Sequence, residues 1–434
     1  MKAIVNACRL LLAATFILSG FVKAVDPWGT AYKIADYLQA MHVGGLMPET
    51  GCVLLSVLLS ALEFSTGLFL LFAIRRKLAS RTALALMMVM TPLTLWLAVA
   101  NPVSDCGCFG DALVLSNWQT FWKNVVLLLA AAVVAVRPKD MFRFVSEPNQ
   151  WIVINYTILF ILAVSGWSLY DLPLFDFRPY HVGANIREGM ETPEGAPQPQ
   201  FETTFVMEKN GVQREFDVDH YPDSTWTFVD SRTVQVSEGY IPPIHDFSLT
   251  TEEGDDITDE VLANQGYVFL LVSPHLETAD DSRLDLINEL YEYCDEQSYA
   301  FYGLTASSQK GIDLWRYKTG AEYPFCTADE TTLKTIIRSN PGLVLLKDGT
   351  VIRKWSSNNL PHIKGATAKP LEQLEEGRMP HDTVTKKISR LLLWFVLPLA
   401  LLSIADRTWM WTRWLRRPRK KNTEEEPQTN LNKT

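Results

Sequence analysis

The sequence predicts an α-helical membrane bundle carrying an inserted α/β domain, and three observations predict it. Apolar runs long enough to cross a bilayer as helices fill residues 1–170 and recur at 389–405. Between them, residues 171–388 carry 37 Asp/Glu against 19 Lys/Arg, near −18 in a chain whose total is −9. From about 241 onward, strand-like and helix-like periodicities alternate. A purely soluble enzyme is excluded, and so is a nucleic-acid binder, because the large hydrophilic block would repel phosphate. With 47% hydrophobic residues and 48 aromatics, the chain as a whole is not disordered. Its 434 residues allow two or three domains.

Six spans are expected, at about 3–24, 51–73, 79–100, 118–137, 151–170 and 389–405. The first could pass for a secretory signal, since Lys2 and Arg9 precede the apolar run 10–22. No small-x-small cleavage site follows, and the chain runs on through Lys23 and Asp26-Pro27, so it is read as a span. Lys2 and Arg9, then Arg75, Arg76, Lys77 and Arg81, then Arg137, Lys139 and Arg143 all fall on one side if every segment crosses. The cluster after span six, which begins with Arg407 and Arg413, falls there too. That side is expected to be the cytoplasm of a bacterial inner membrane. Loops 25–50 and 101–117 and the block 171–388 are then periplasmic. Residues 406–434 read as a basic cytoplasmic tail whose end, with Glu424, Glu425 and Glu426, is expected to be disordered.

On this topology five of six cysteines face a compartment where disulfides persist: Cys52, Cys106, Cys108, Cys294 and Cys326. Cys8 lies at the opposite end of span one and is expected to be a small buried residue. The segment Asn101-Pro-Val-Ser-Asp-Cys106-Gly-Cys108-Phe-Gly110-Asp111 sets two sulfurs one residue apart. They can close only a small, strained ring, which favours a labile, exchanging disulfide. Cys52 is a third sulfur expected at the same membrane edge. Two readings stand side by side. One is a thiol–disulfide exchange site, and the other a loop stapled by one static bond from Cys52 to Cys106 or Cys108. A zinc site of His42, Cys52, Cys106 and Cys108 fits no standard spacing.

Three groups of residues together carry a resemblance. They are Ser19-Gly20-Phe21-Val22-Lys23 with Asp26-Pro27, Glu63-x-x-x-Gly67, and Cys106-Gly-Cys108-Phe-Gly110. Over about 1–140 the chain resembles the DoxX/MauE group of membrane proteins, a four-helix unit. The MauE resemblance implies a membrane partner of a periplasmic thioredoxin-like protein, acting in disulfide formation during maturation of another protein. DoxX relatives are linked instead to quinol-oxidase-associated proteins. The whole layout resembles DoxX-family fusions of Bacteroidetes.

Glu63 stands halfway along span two, where an ionised carboxylate is expensive unless paired, protonated or near water. Lys23 and the pair Lys123-Asn124 are its candidate partners. The functional reading makes Glu63 and Lys23 a proton or quinone-head-group cavity beside the sulfurs. The structural reading makes Glu63 polar glue between helices. Trp118 and Trp122 read as interface anchors. Ser56, Ser60, Ser65, Thr66 and Gly67 read as close-packing residues.

Residues 171–240 are expected to form a β-rich arm, with 185–200 extended and a hairpin of 201–206 and 213–218 about Lys209-Asn210-Gly211. Strands at 267–272, 300–304, 343–346 and 351–355 alternate with helices at 281–297, about 309–319 and 329–339. A linker, 361–388, follows. This order resembles the thioredoxin fold over about 240–360. Pro341 sits where that family has its cis-proline, and Asp246-Phe247-Ser248-Leu249 resembles the opening strand of its periplasmic and peroxiredoxin branch. Where the family places Cys-x-x-Cys, this chain has Ser273-Pro274-His275-Leu276. Ordinary thioredoxin chemistry is therefore absent there, and His275 reads as a surface residue. Cys294 is expected to be buried and Cys326 exposed in a loop, with a disulfide between them conceivable.

Three functions from different classes follow. The first is a membrane thiol–disulfide exchange or maturation component, with Cys106 and Cys108 as the redox pair and Cys52 as the resolving thiol. Glu63 and Lys23 would tune the cavity, a quinone would serve as acceptor, and the acidic domain would hold an extracytoplasmic protein client. The second is a non-enzymatic scaffold presenting a redox-silent binding domain. The third, a transporter, has little support without a visible internal repeat.

Overall fold

The computed structural model describes every residue except 104–105, 198–199, 210–211, 218–225, 238, 364–368, 381–383 and 416–434. The 210–211 turn and the end of the tail thus lie outside the described residues. The chain divides into two compact units, Met1–Gly166 with Asp382–Thr434, and Trp167–His381.

Six helices of the described residues are long and apolar enough to cross a membrane, as expected, and the chain is a multi-pass membrane protein. They include α1 (Lys2–Val25), α3 (Glu49–Phe72), α4 (Arg76–Ala100), α5 (Asn117–Val136) and α6 (Gln150–Tyr170). The last helix, Val384–Leu415, is longer than its apolar stretch suggested and takes in the start of the expected tail. One helix was not expected: α2 (Pro27–Ala40) occupies most of what reads as the loop 25–50. Its start signal is local. Asp26 accepts a hydrogen bond from the Gly29 N–H, and Pro27 takes the first helical position, where no N–H is needed.

Helices α1 and α3 pack most closely, and two glycines make that possible. A Cβ on Gly20 would stand 2.4 Å from the Phe64 nitrogen, and one on Gly67 2.7 Å from the Ile17 nitrogen. Backbone meets backbone at both points, the small-residue route to helix association in lipid. Helices α4 and α5 are joined by the Asn124 amide donating to Thr94 Oγ1 at 3.2 Å. At the basic end, Arg9 donates to the Phe142 carbonyl, Arg76 to the carbonyls of Lys139 and Met141, and Asp406 accepts from Ser146 and Asn149. Cys8, expected to be buried, is only half-buried.

The second unit contains two sheets. A three-stranded antiparallel sheet orders as β2-β1-β3, with β1 Gln200–Lys209, β2 Val212–Asp217 and β3 Thr227–Ser237. The hairpin is the expected one, and β3 is an addition. A six-stranded sheet contains β4 (Thr250–Thr251), β5 (Tyr267–Ser273), β6 (Ala300–Thr305), β7 (Phe325–Thr327), β8 (Gly342–Lys347) and β9 (Thr350–Ser356), in the order β4-β7-β6-β5-β8-β9. β5 and β6 run parallel, while β8 and β9 return antiparallel. That four-strand order is the thioredoxin arrangement, and the Asn340–Pro341 bond is cis.

Every residue of β5 is buried, because both faces of the sheet are covered. Tyr267, Phe269 and Leu271 pack with α9 (Leu284–Glu296) and α10 (Gln309–Thr319). Val268, Leu270 and Val272 pack with α8 (Thr258–Ala263) and α11 (Glu330–Ile336) on the other face. This two-residue alternation separates Cys294, in the first cluster, from Cys326, in the second, so the conceivable disulfide between them is not made. Cys326 is 1% exposed, not in an open loop, because it lies on the short strand β7 (Phe325–Thr327) between β6 and β4 (Thr250–Thr251). Residues 246–249 are not a strand. Phe247 and Leu249 nevertheless anchor the second cluster.

The boundaries of this unit reach beyond 241–360. In what reads as arm, Tyr180 and Ile186 enter the second cluster, and a short helix α7 (Ile186–Met190) forms. In what reads as linker, Leu371 is fully buried, and the Tyr267 and Tyr293 hydroxyls donate to the carbonyls of Gly377 and Lys369. The amino-terminal strap is fixed by charge. Asp176 accepts from Arg178 Nε at 2.7 Å and from Lys354 Nζ at 2.9 Å, both cations being almost fully buried. Burial alone would raise the Asp176 pKa, but Lys354 and Arg178 hold its carboxyl well below the usual carboxylate range. A depressed folded pKa means stability that is present above the unfolded value of about 3.9 and is lost as pH falls below it. In thermal unfolding of the full chain, Asp176→Ala is expected to cost on the order of 3–5 kcal/mol by stranding two cations. Asp176→Asn should flatten the acid limb of the stability profile. An unchanged acid limb would remove the strap as its source.

Candidate functional site

Three polar side chains of α1 and α3 meet between the helices, and all are buried. Lys23 Nζ donates to both oxygens of Glu63, at 2.8 and 2.7 Å, with each side chain 4% exposed. One turn before Lys23, the Ser19 hydroxyl lies 3.0 Å from that ammonium and 2.8 Å from Glu63 Oε2. The same hydroxyl lies 2.7 Å from the Cys108 carbonyl oxygen. The partner expected for Glu63 is thus Lys23. Of the other candidates, Asn124 serves Thr94, and Lys123 lies with its ammonium 4.3 Å from the centre of the Phe109 ring. The two readings of Glu63 are joined in one place, since the pair both ties the helices together and supports the cysteine loop.

The loop itself is held from three helices. Besides Ser19, the Tyr37 hydroxyl on α2 donates to the Cys106 carbonyl, and the Asn117 amide on α5 donates to Asn101 Oδ1 and the Val103 carbonyl. Gly107 has φ +62°, a left-handed conformation that side chains resist, and its α-carbon faces the Lys33 side chain. Residues 104–105 lie outside the described residues. The two sulfurs stand 2.9 Å apart with no bond between them. Cys106 is buried and Cys108 is half-buried.

Their environments separate them. A hydrogen bond from the Cys106 thiol lowers the Cys108 pKa most, burial opposes it, and Lys123 and Lys23 add to the lowering. The same bond, with burial, pushes Cys106 up. Cys108 is thereby the more acidic thiol of the pair and Cys106 the less acidic. Cys52, expected beside them, is a buried thiol on α3, and among the described residues no hydrogen bond links it to either sulfur. One turn along α3 from it, Ser56 donates to the Pro27 carbonyl. His42 is exposed beyond α2, and among the described residues no three His, Cys, Asp or Glu side chains are placed to hold a metal ion. Lys123 was the residue whose role the sequence signalled least well. Its only cue was a charge early in a span.

In the other unit, the position of the missing Cys-x-x-Cys is closed by side chains. Ser273 donates to Asn340 Oδ1 at 2.6 Å, and the Asn340 amide donates to the His275 carbonyl at 2.9 Å. Asn340 directly precedes the cis-proline. His275, half-exposed as expected, lies 3.0 Å from Glu330, which also receives Lys334. Cys294 is buried as expected, and burial raises its pKa and that of Cys326, so neither is a poised nucleophile.

Removal of one buried charge tests the membrane site. Lys23→Met should lower stability in detergent by about 3–5 kcal/mol, because Glu63 is left unpaired. The double variant Lys23→Met/Glu63→Leu should recover much of the loss. Equal losses in the single and double variants would show that the two charges do not act as a pair.

Different parts of the chain match different known proteins. Residues 1–137 match the family model of methylamine utilisation protein MauE, and residues 201–238 match a model described as a domain of unknown function, DUF8463. No curated protein matches the chain. Among solved structures, a protein of Bacteroides thetaiotaomicron described as a candidate protein disulfide isomerase is similar at 18% identity. It covers 30% of this chain and 87% of its own, with a TM-score of 0.24. The bacterioferritin comigratory protein of Xanthomonas campestris is also 18% identical, over 28% of this chain and 85% of its own, with a TM-score of 0.20. The thioredoxin-like assignment itself rests on the strand order described above. The region of α1 to α5 that builds the Cys-Gly-Cys site is thus the part of this chain that matches the MauE family of membrane proteins.

Proposed function

We propose that this protein is a membrane thiol–disulfide exchange component that acts on extracytoplasmic protein clients through Cys106 and Cys108. The observation that carries this reading is two unbonded sulfurs 2.9 Å apart in a loop pinned to a buried Lys23–Glu63–Ser19 cluster, with the Cys108 pKa lowered and that of Cys106 raised. Exchange then runs in two steps. The Cys108 thiolate attacks a client disulfide, forming a mixed disulfide and releasing one client thiolate. Cys106, deprotonated, attacks the Cys108 sulfur, releases the second client thiolate and leaves a Cys106–Cys108 disulfide. The client gains two electrons and the pair loses them. In reverse, the oxidised pair takes two electrons from a client dithiol, and a membrane quinone is the acceptor that would return it to the disulfide. Lys23 and Glu63 lie where they would hold the charge that this cycle moves. The basic clusters support a topology in which the loop and the acidic block face the periplasm from an inner membrane. There, the thioredoxin-like domain, which lacks the Cys-x-x-Cys pair, would bind the client, and its negative charge would favour a basic one.

A scaffold without redox chemistry is the second reading, favoured by the buried cysteines and closed site of the thioredoxin-like domain. Thiol trapping in native membranes separates the two. Under exchange, Cys106 and Cys108 change oxidation state when the quinone pool or an added dithiol is varied. Cys106→Ser should also accumulate a mixed disulfide on Cys108. A pair that never changes state would leave the scaffold. In addition, Cys108 should react with an impermeant maleimide with a midpoint below the ordinary thiol value of about 8.5, and Lys123→Gln should raise that midpoint.

A further inference from the structure

The basic residues between spans serve the sequence only as a marker of orientation. The fold does something more specific with four of them. Lys77 and Arg81 lie one turn apart at the start of α4, Arg137 and Lys139 follow the end of α5, and all four line one cavity of about 470 Å³. Asp140 is the one carboxylate in its lining. Among the described residues, none of the four cations has an ion-pair partner. Like charges four apart on a helix repel, and cations at a helix N-terminus oppose its dipole. Both penalties fall when an anion enters. The wall is built as well, since Arg76 donates to the carbonyls of Lys139 and Met141 and so holds the 138–140 turn in place. Val136, which lines the cavity, and Leu78, which follows Lys77 in the chain, are both widely exposed at the ends of two spanning helices.

We propose that this cavity binds the phosphate headgroup of an anionic phospholipid, whose acyl chains run beside Leu78 and Val136. A phosphodiester with a diffuse negative charge matches a site with about three uncompensated positive charges. The apolar rim at the membrane edge selects lipid over a soluble phosphate.

Native mass spectrometry of the full chain, released from nanodiscs of phosphatidylcholine with one-tenth phosphatidylglycerol or cardiolipin, tests this. The anionic lipid should be retained in preference to phosphatidylcholine. Each charge near a membrane surface is worth about fivefold in affinity, so Arg81→Gln/Arg137→Gln should reduce that preference by ~25-fold. Arg75→Gln, near the same end of α4 but outside the cavity lining, should leave it within about twofold of the parent. A fivefold loss in Arg75→Gln, as each charge near an anionic surface would give, would reduce the effect to general surface charge and overturn the site. Displacement of the lipid by millimolar inorganic phosphate would identify a soluble anion as the ligand and overturn the lipid assignment. Circular dichroism of the double variant, unchanged from the parent, excludes misfolding as the cause of a loss.

Discussion

A lysine and a glutamate lie buried against each other between two membrane helices, and most of the amino-terminal unit is arranged around that pair. Either charge alone inside an apolar bundle would be costly, and both are nearly inaccessible. The pair therefore requires α1 and α3 to meet along one line. Gly20 and Gly67 allow the close approach, and Ser56 and Ser60, both fully buried, continue the same face. Ser19 extends the cluster to a backbone carbonyl of the cysteine loop. The loop's position is thus set by an electrostatic demand in the bundle, and a change at Glu63 would be felt at the sulfurs.

The second unit obeys a different constraint, coverage of both faces of a mixed sheet. The thioredoxin arrangement survives there without its chemistry. Ser273 and Asn340 fill with hydrogen bonds the place where two sulfurs would stand, and the cysteines that remain are buried on opposite faces. In a membrane chain with its own sulfur pair elsewhere, such a domain is well suited to binding. Under the proposed function, thiol chemistry and recognition would be divided between the two units, whereas a single thioredoxin domain combines them.

Some of this was legible from local pattern and some was not. Spans are legible because a bilayer imposes a length and a polarity on each helix separately. Lys23 was a visible partner for Glu63 because buried charges need one and few were within reach. Helix α2 is not legible in the sequence beyond its Asp26-Pro27 start, because a short helix between spans has no strong apolar run. Cys326 was misjudged because β7, three residues long, is made by pairing with strands on either side, one of them more than seventy residues earlier.

The linear chain alone determined the number of membrane crossings, the charge of each block and the proximity of Cys106 to Cys108. Each of these depends on neighbours along the chain or on bulk transfer into lipid. Only the tertiary structure decided that Ser19 reaches Cys108 across 89 positions, that Lys123 turns toward Phe109, and that Cys52 has no bond to the pair. It also decided that four scattered cations share a cavity. Such meetings depend on how helices rotate and how closely their backbones approach, and close packing sets both for all the helices together.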